Sequence, residues 1–266
     1  TGNEERFERE VFCYDYFKGK IPVPEIVVYD NSREIYPRFF MIYPKIEGAN
    51  LYSKWHLMDD HKRRKIIKQL CQILKIINQA PYHKFIERFD LDSGLNWHNK
   101  IIGQIRNSLI EVEDRKILSR EFIQTIRDFI RENHTVLNEQ QIALVYWDAH
   151  FDNILVKGNK IVGILDFERT ELSSIDFVLD IIQRMSDYPQ KYMAAEWEQY
   201  AKKEDYARLI NWFQEFYPEL FQFKDLDIRL DLYSIEHDLK DLLIWSESKE
   251  LKRRISKRIN YNYSFY

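Results

Sequence analysis

The chain has 266 residues, 45% hydrophobic and 31% charged, and its 43 acidic against 40 basic side chains give a formal charge of −3. This near-balance excludes the strongly basic footprint of a nucleic-acid binder. The seven glycines are spaced too widely for a GxGxxG or GxxxxGK[ST] phosphate loop, and Cys13 and Cys71 are too few for a disulfide framework.

No apolar run approaches the roughly 18 residues of a membrane span. The expectation is therefore a reduced, cytoplasmic globule of one large or two modest domains, with no nucleic-acid or membrane partner. In chain order, Phe7, Val11, Phe12 and Tyr14 among charges predict a short amphipathic helix over about 3–17, broken by Gly19. Pro22 and Pro24 favour extended backbone, and strand-like runs follow at 25–29 and 38–42, as in a fragment of a small α+β unit. From Asp59 the pattern turns helical, with Ile66, Leu70, Ile73, Leu74 and Ile77 at three- and four-residue spacings. Further helices are expected over 93–113 with Ser93 as cap, over 119–134 capped by Ser119, and near 174–186, 189–202, 204–217, 225–246 and 248–260.

One stretch departs from this helical pattern. Residues 142–146 form a short apolar run, and 154–157 and 160–165 are β-rich segments separated by Gly158-Asn159, a two-residue hairpin signal. A two-residue loop pairs Lys157 with Lys160, which sets Asn153 opposite Ile164 and puts Asp166 on the same face by the period of two. Asp148, five residues before Asn153, lies just after the preceding strand. Two carboxylates and a carboxamide meeting at one end of a β element are hard-oxygen ligands, suited to Mg²⁺ rather than Zn²⁺. For each residue alone, capping a turn is the competing role.

The segment 146–156 (Tyr-Trp-Asp-Ala-His-Phe-Asp-Asn-Ile-Leu-Val), followed by Ile164-Leu165-Asp166-Phe167-Glu168, resembles the catalytic and metal-binding signature of the aminoglycoside phosphotransferase family. Phe7-Glu8-Arg9-Glu10, Ile21-Pro22-Val23-Pro24-Glu25, Phe39-Phe40-Met41-Ile42 and Glu47-Gly48-x-x-Leu51 are similar to that family's helix, strand approach and hinge. The likeness covers roughly residues 5–185. It implies an α+β, protein-kinase-like two-lobe fold: an incomplete small N-terminal lobe and hinge over 1–46, and a large, mainly helical C-terminal lobe over 47–266 with an embedded β-hairpin. The departures are Tyr146 and Trp147, where the family carries His and Gly. His150 has the wrong offset to replace that His and reads as a solvent-facing loop residue.

By the resemblance, Asp148 accepts the proton of a substrate hydroxyl, Asn153 and Asp166 hold Mg²⁺ on the phosphates of ATP or GTP, and Glu168 braces the loop or meets metal-bound water. Pro44 C=O and Ile46 N–H would read adenine, since proline accepts but cannot donate; a proline that simply ends a strand is the alternative. Glu10, with Glu5 and Glu8 as rivals, stands where the family's helix glutamate meets a strand lysine. A solvated helix face explains all three equally. Only nine residues precede Glu10, so the nucleotide-covering loop and that lysine are missing from this chain, which is expected to be a truncated or partly disordered version and a poor kinase alone. Glu236, His237, Asp241 and Trp245 recur near one face of the acidic 225–250 stretch and would bind a cationic, hydroxylated substrate, a solvated helix being the competing reading. Lys252, Arg253, Arg254, Lys257 and Arg258 call for solvent or an internal acid partner. The leading function is a Mg²⁺-dependent small-molecule O-phosphotransferase, with an aminoglycoside-like antibiotic as one acceptor. The alternatives are a choline-, homoserine- or sugar-type metabolic kinase, or a catalytically weak nucleotide-binding or interaction protein.

Overall fold

A computed structural model describes residues 2–91, 94–192 and 194–259. In order, the elements are α1 (Gly2–Phe17), β1 (Val28–Asp30), β2 (Phe40–Ile42), β3 (Ala49–Asn50), α2 (Leu51–Trp55), α3 (Asp60–Asn78), α4 (His83–Phe89), α5 (Trp97–Asp114) and α6 (Arg120–Asn133). Then follow β4 (Ile142–Val145), β5 (Ile154–Lys157), β6 (Lys160–Ile164), β7 (Glu171–Ser174), α7 (Val178–Asp187), α8 (Leu209–Phe216), α9 (Leu226–Ile244) and α10 (Lys249–Ile259). The chain divides into two compact units, Thr1–Tyr82 with Ala143–Phe221, and His83–Ile142 with Gln222–Tyr266. No helix among the described residues is long and apolar enough to cross a membrane.

Local chemistry explains most boundaries. Asp59 caps α3 by accepting from Lys62 N–H at 2.8 Å, and Ser119 caps α6 by accepting from Phe122 N–H at 3.2 Å. α5 starts later than expected because Asn96, not Ser93, supplies the cap, accepting from Asn99 N–H at 3.0 Å. Ser93 lies outside the described residues. The helix expected over 189–202 is replaced by short 3₁₀ turns at Pro189–Tyr192 and Glu198–Tyr200. Most residues of 194–200 are exposed. With these residues left at the surface, a helix there would bury too little to offset its nucleation cost.

In the first unit, β1 pairs antiparallel with β2, β4 pairs with β7, and β3, β5 and β6 form a three-stranded sheet in that order. The Gly158-Asn159 turn closes the β5–β6 hairpin with Lys157 opposite Lys160 as expected, Gly158 taking φ +61. The register then slips: Val156 faces Ile161, but Leu155 faces Gly163 and Ile154 faces Ile164. Val162 is thus the extra residue of a β-bulge. Asn153 consequently meets Leu165, whose N–H donates to the Asn153 carbonyl at 2.8 Å, rather than Ile164.

Close approach explains one glycine ahead of β3. A Cβ on Gly48 would lie 2.8 Å from Val162 Cγ2 and 3.3 Å from the Val156 carbonyl. Gly48→Ala is expected to destabilise the chain by roughly 1–3 kcal/mol through overpacking, read as a lower midpoint in urea unfolding. An unchanged midpoint would show that the bulge can shift freely.

In the second unit, α5 packs on α9 and α10 packs on α9 and α6. The basic stretch of α10 finds internal acids: Arg254 lies 3.4 Å from Asp238, and Arg258 donates to Asp231 at 2.9 Å. Burial pushes the Asp231 carboxyl up to about 6, against the opposing pull of Arg258. A folded-state value above the ordinary 3.8 means that the protonated form favours folding, so stability is lost as pH rises from about 4 to about 6. Asp231→Asn is expected to flatten that part of the stability profile, measured by urea unfolding between pH 4 and 7; an unaltered slope would rule out Asp231 as its source.

Candidate active site

The loop between β4 and β5 carries Asp148, Asn153 and the residues that hold them. Phe151 is fully buried, 4.6 Å from Trp55 and 5.3 Å from Tyr52 between ring centroids, and pins the loop from beneath. Asn50 ties it from the side. Its side-chain amide donates to the Asp152 carbonyl and to Asp152 Oδ1 at 2.8 and 2.9 Å, while its own oxygen caps α2. Within the loop, Asn153 Nδ2 donates to the Asp148 carbonyl at 3.0 Å. His150 turns inward instead of facing solvent: its Nε2 lies 3.3 Å from Asp148 Oδ1 and 3.3 Å from Asn153 Nδ2.

Asp166 follows the hairpin at φ +57, in the left-handed region. Its approach to Asp148 therefore arises from the bulge and this turn, not from the unbroken period of two. Burial raises its carboxyl above the ordinary range, and the charges of Asp148 and Glu168 push it further the same way. A site with such like-charge repulsion favours a bound cation. Asn153, with Nδ2 engaged by the loop, keeps its carboxamide oxygen as a ligand. No group of three or more His, Cys, Asp or Glu among the described residues is arranged to hold a metal by itself. One carboxylate and one carboxamide suit Mg²⁺, which characteristically takes few protein ligands and completes its shell with water and substrate phosphates. The residues fit such an ion.

Tyr146 is 1% exposed, donates its phenol proton to the Leu165 carbonyl at 2.7 Å and stacks on Phe167 at 4.6 Å. A tyrosine here thus bridges the two halves of the signature. From α1, Tyr14 donates to Glu10 Oε1 at 2.5 Å and accepts from Asp166 N–H at 2.9 Å. Burial raises both phenols well above the usual range, so both keep their protons.

Comparison with known proteins decides the family. The model of the phosphotransferase enzyme family matches residues 1–212. The chain belongs to that family. The family member shares the protein-kinase-like α+β fold of solved aminoglycoside phosphotransferases at low identity. ADP-bound APH(2'')-Ib is 19% identical with a TM-score of 0.64, over 96% of this chain and 81% of that one. The gentamicin complex of APH(2")-IIa is 17% identical with a TM-score of 0.65, over 98% and 82%. A thermostable mutant of APH(4)-Ia, in a ternary complex with ADP and hygromycin B, is 12% identical with a TM-score of 0.65, over 99% and 85%. A comparison with curated proteins gave no match.

The other candidate residues of this phosphotransferase family member fall as follows. Pro44 is exposed and Ile46 half-buried, in the extended segment between β2 and β3. Among the described residues, neither the Pro44 carbonyl nor the Ile46 N–H has a backbone partner. Of the three candidate glutamates on α1, Glu5 pairs with Arg9 and Glu8 accepts from Asn31 at 3.0 Å, whereas Glu10 turns to Tyr14. Burial raises the Glu10 carboxyl. Glu168 meets Arg6 at 3.4 Å. Glu236, His237 and Asp241 lie on α9 in the second unit, with Trp245 just past its end. Glu236 pairs with Lys240 and His237 lies 3.6 Å from Asp241, while Trp245 is 59% exposed. Sequence reasoning missed Tyr14, Asn50 and Asp152. The spacing of Tyr14, four residues after Glu10 on one helix, was the available signal.

Proposed function

We propose that the chain transfers the γ-phosphate of ATP or GTP to a hydroxyl of a small, cationic molecule, in the manner of an aminoglycoside kinase. The reading is carried by the convergence of Asp148, Asn153 and Asp166, with the carboxyl of Asp166 raised by burial and then by the charge of Asp148. Asp148 Oδ1, steadied by His150, accepts the proton of the substrate hydroxyl and orients it for in-line attack. Asn153 and Asp166 hold Mg²⁺, which supplies charge neutralisation on the nucleotide phosphates. The Pro44 carbonyl and Ile46 N–H, without a backbone partner among the described residues, suit the two backbone contacts of adenine. Glu10, through Tyr14, braces Asp166. The proposal keeps residues 1–46 as the nucleotide-side lobe and hinge, with the acceptor role on Glu236, His237, Asp241 and Trp245, which the exposed Trp245 ring and the His237–Asp241 pair support. Solved neighbours bound to ADP, gentamicin and hygromycin B support nucleotide and aminated, hydroxylated ligands.

The test begins with thermal stabilisation by Mg²⁺ plus ATP or GTP. It continues with phosphate transfer to a panel of aminoglycosides, choline, homoserine and sugars. On a protein carrying a complete nucleotide-side lobe, stabilisation by a nucleotide and transfer to an aminoglycoside are expected. Transfer confined to choline, homoserine or a sugar would make it a metabolic kinase, and no stabilisation by either nucleotide would sink the phosphotransferase reading.

A further inference from the structure

The peptide unit that joins Leu165 to Asp166 is held at both ends by tyrosine hydroxyls. Tyr146 donates to its carbonyl oxygen at 2.7 Å, and its N–H donates to Tyr14 at 2.9 Å. The two phenols come from different parts of the chain, Tyr14 from α1 and Tyr146 from the end of β4, yet both are 1% exposed. Between them lies Phe167, stacked on Tyr146 at 4.6 Å and edge-on to Tyr14 at 5.7 Å. Tyr14 is itself oriented, because its proton is committed to Glu10. Its lone pair is therefore left to face the Asp166 N–H. Immediately beyond this peptide the backbone of Asp166 takes φ +57, a left-handed conformation that is uncommon for a residue with a Cβ, though Asp tolerates it better than most.

We propose that Tyr14 and Tyr146 act as a two-ended clamp on the Leu165–Asp166 peptide, fixing its plane so that Asp166 holds its left-handed turn and presents its carboxylate. They are positioning residues that act through Asp166. A peptide plane gripped at one end still swings about that hydrogen bond, whereas grips on both the C=O and the N–H leave it no free rotation. This gives a physical reason for a tyrosine at 146, where the family pattern has histidine: its hydroxyl reaches the carbonyl while its ring supports Phe167. The functional consequence rests on the proposed role of Asp166 as a cation ligand; the clamp itself does not.

The test uses the full chain with Tyr14→Phe, Tyr146→Phe and the double variant, which keep the rings and remove only the hydroxyls. Tyr217→Phe is the control, since its hydroxyl also makes an internal bond, to Asn78 Oδ1 at 2.9 Å, away from this peptide. Hydrogen exchange at the Asp166 amide is expected to quicken about tenfold or more in Tyr14→Phe, which deletes its acceptor, and to quicken also in Tyr146→Phe. With ADP present, Mn²⁺ affinity followed by electron paramagnetic resonance is expected to fall about 10- to 100-fold in each single variant. The double variant should lose less than the product of the two, because either release frees the same peptide. The control should lower the melting temperature without moving either readout. Exchange at Asp166 unchanged in Tyr14→Phe and Tyr146→Phe overturns the clamp. Quickened exchange with unaltered Mn²⁺ affinity overturns its positioning role. If the parent chain binds no Mn²⁺ with ADP, the cation role of Asp166 fails, and the exchange arm alone then decides the clamp.

Discussion

Asp148→Asn is expected to lower phosphate transfer by about 10²- to 10⁴-fold, equivalent to roughly 3–5 kcal/mol of barrier, while leaving nucleotide-induced stabilisation nearly intact. The substitution keeps the size of the side chain and the backbone of the loop, where Asn153 Nδ2 bonds the carbonyl of residue 148 rather than its carboxylate. What disappears is the one oxygen able to take up a proton beside His150. Binding should survive because the proposed nucleotide contacts use other groups: the Pro44 carbonyl, the Ile46 N–H, Asn153 and Asp166. The measurement is turnover on the best acceptor of the panel, alongside the thermal shift with Mg²⁺ and nucleotide. Turnover equal to the parent would remove Asp148 from the chemistry. Loss of the thermal shift together with turnover would mean that the loop had collapsed instead.

The second large effect concerns stability. Asp180 and Arg184, one turn apart on α7, are both fully buried, and Arg184 Nε donates to both carboxylate oxygens at 3.1 and 3.0 Å. Asp180→Ala removes a carboxylate that a buried guanidinium bonds through both oxygens and is expected to cost about 3–5 kcal/mol. For a chain of this size that lowers the melting temperature by about 10 °C. The pair itself need not be worth that much, since part of the loss is the cost of taking one partner away from a buried charge. Replacing both with apolar residues, Asp180→Leu with Arg184→Met, should therefore recover most of the stability lost in the single variant. Calorimetry of the three proteins checks this. A double variant as unstable as Asp180→Ala would show that the charges hold something besides each other.

The cap at Ser119 and the helix start at Asp59 were readable because they are local, whereas Asn96 rather than Ser93 caps α5. Asp59 and Ser119 each satisfy an N–H three residues away, which neighbours in sequence settle without help from the rest of the chain. The Gly158-Asn159 turn was readable for the same reason. The bulge at Val162 was not, because the slip becomes visible only once β6 lies against β5 and close to Gly48. Alternation of residue types along a strand cannot announce an unpaired residue. His150 was misjudged likewise: a histidine in a polar loop looks solvated until Asp148 and Asn153 close around it. Asp180 and Arg184 have the spacing of an ordinary surface pair on a helix, and only packing around α7 reveals that both are buried.

The sequence by itself determined the family of this chain and the residues proposed to carry its chemistry. Asp148, Asn153 and Asp166 in their spacing, the hairpin between them and the helices around them follow from residue types and short-range geometry. The tertiary structure decided how that chemistry is held. The left-handed turn at Asp166, the two phenols on the peptide before it and the inward face of His150 depend on hydrogen bonds spanning 19 and 152 positions or on local turns that packing selects. Local interactions leave a trace in the order of residues. A hydrogen bond from Asp166 to Tyr14 leaves none, because it exists only after α1 has folded against the hairpin.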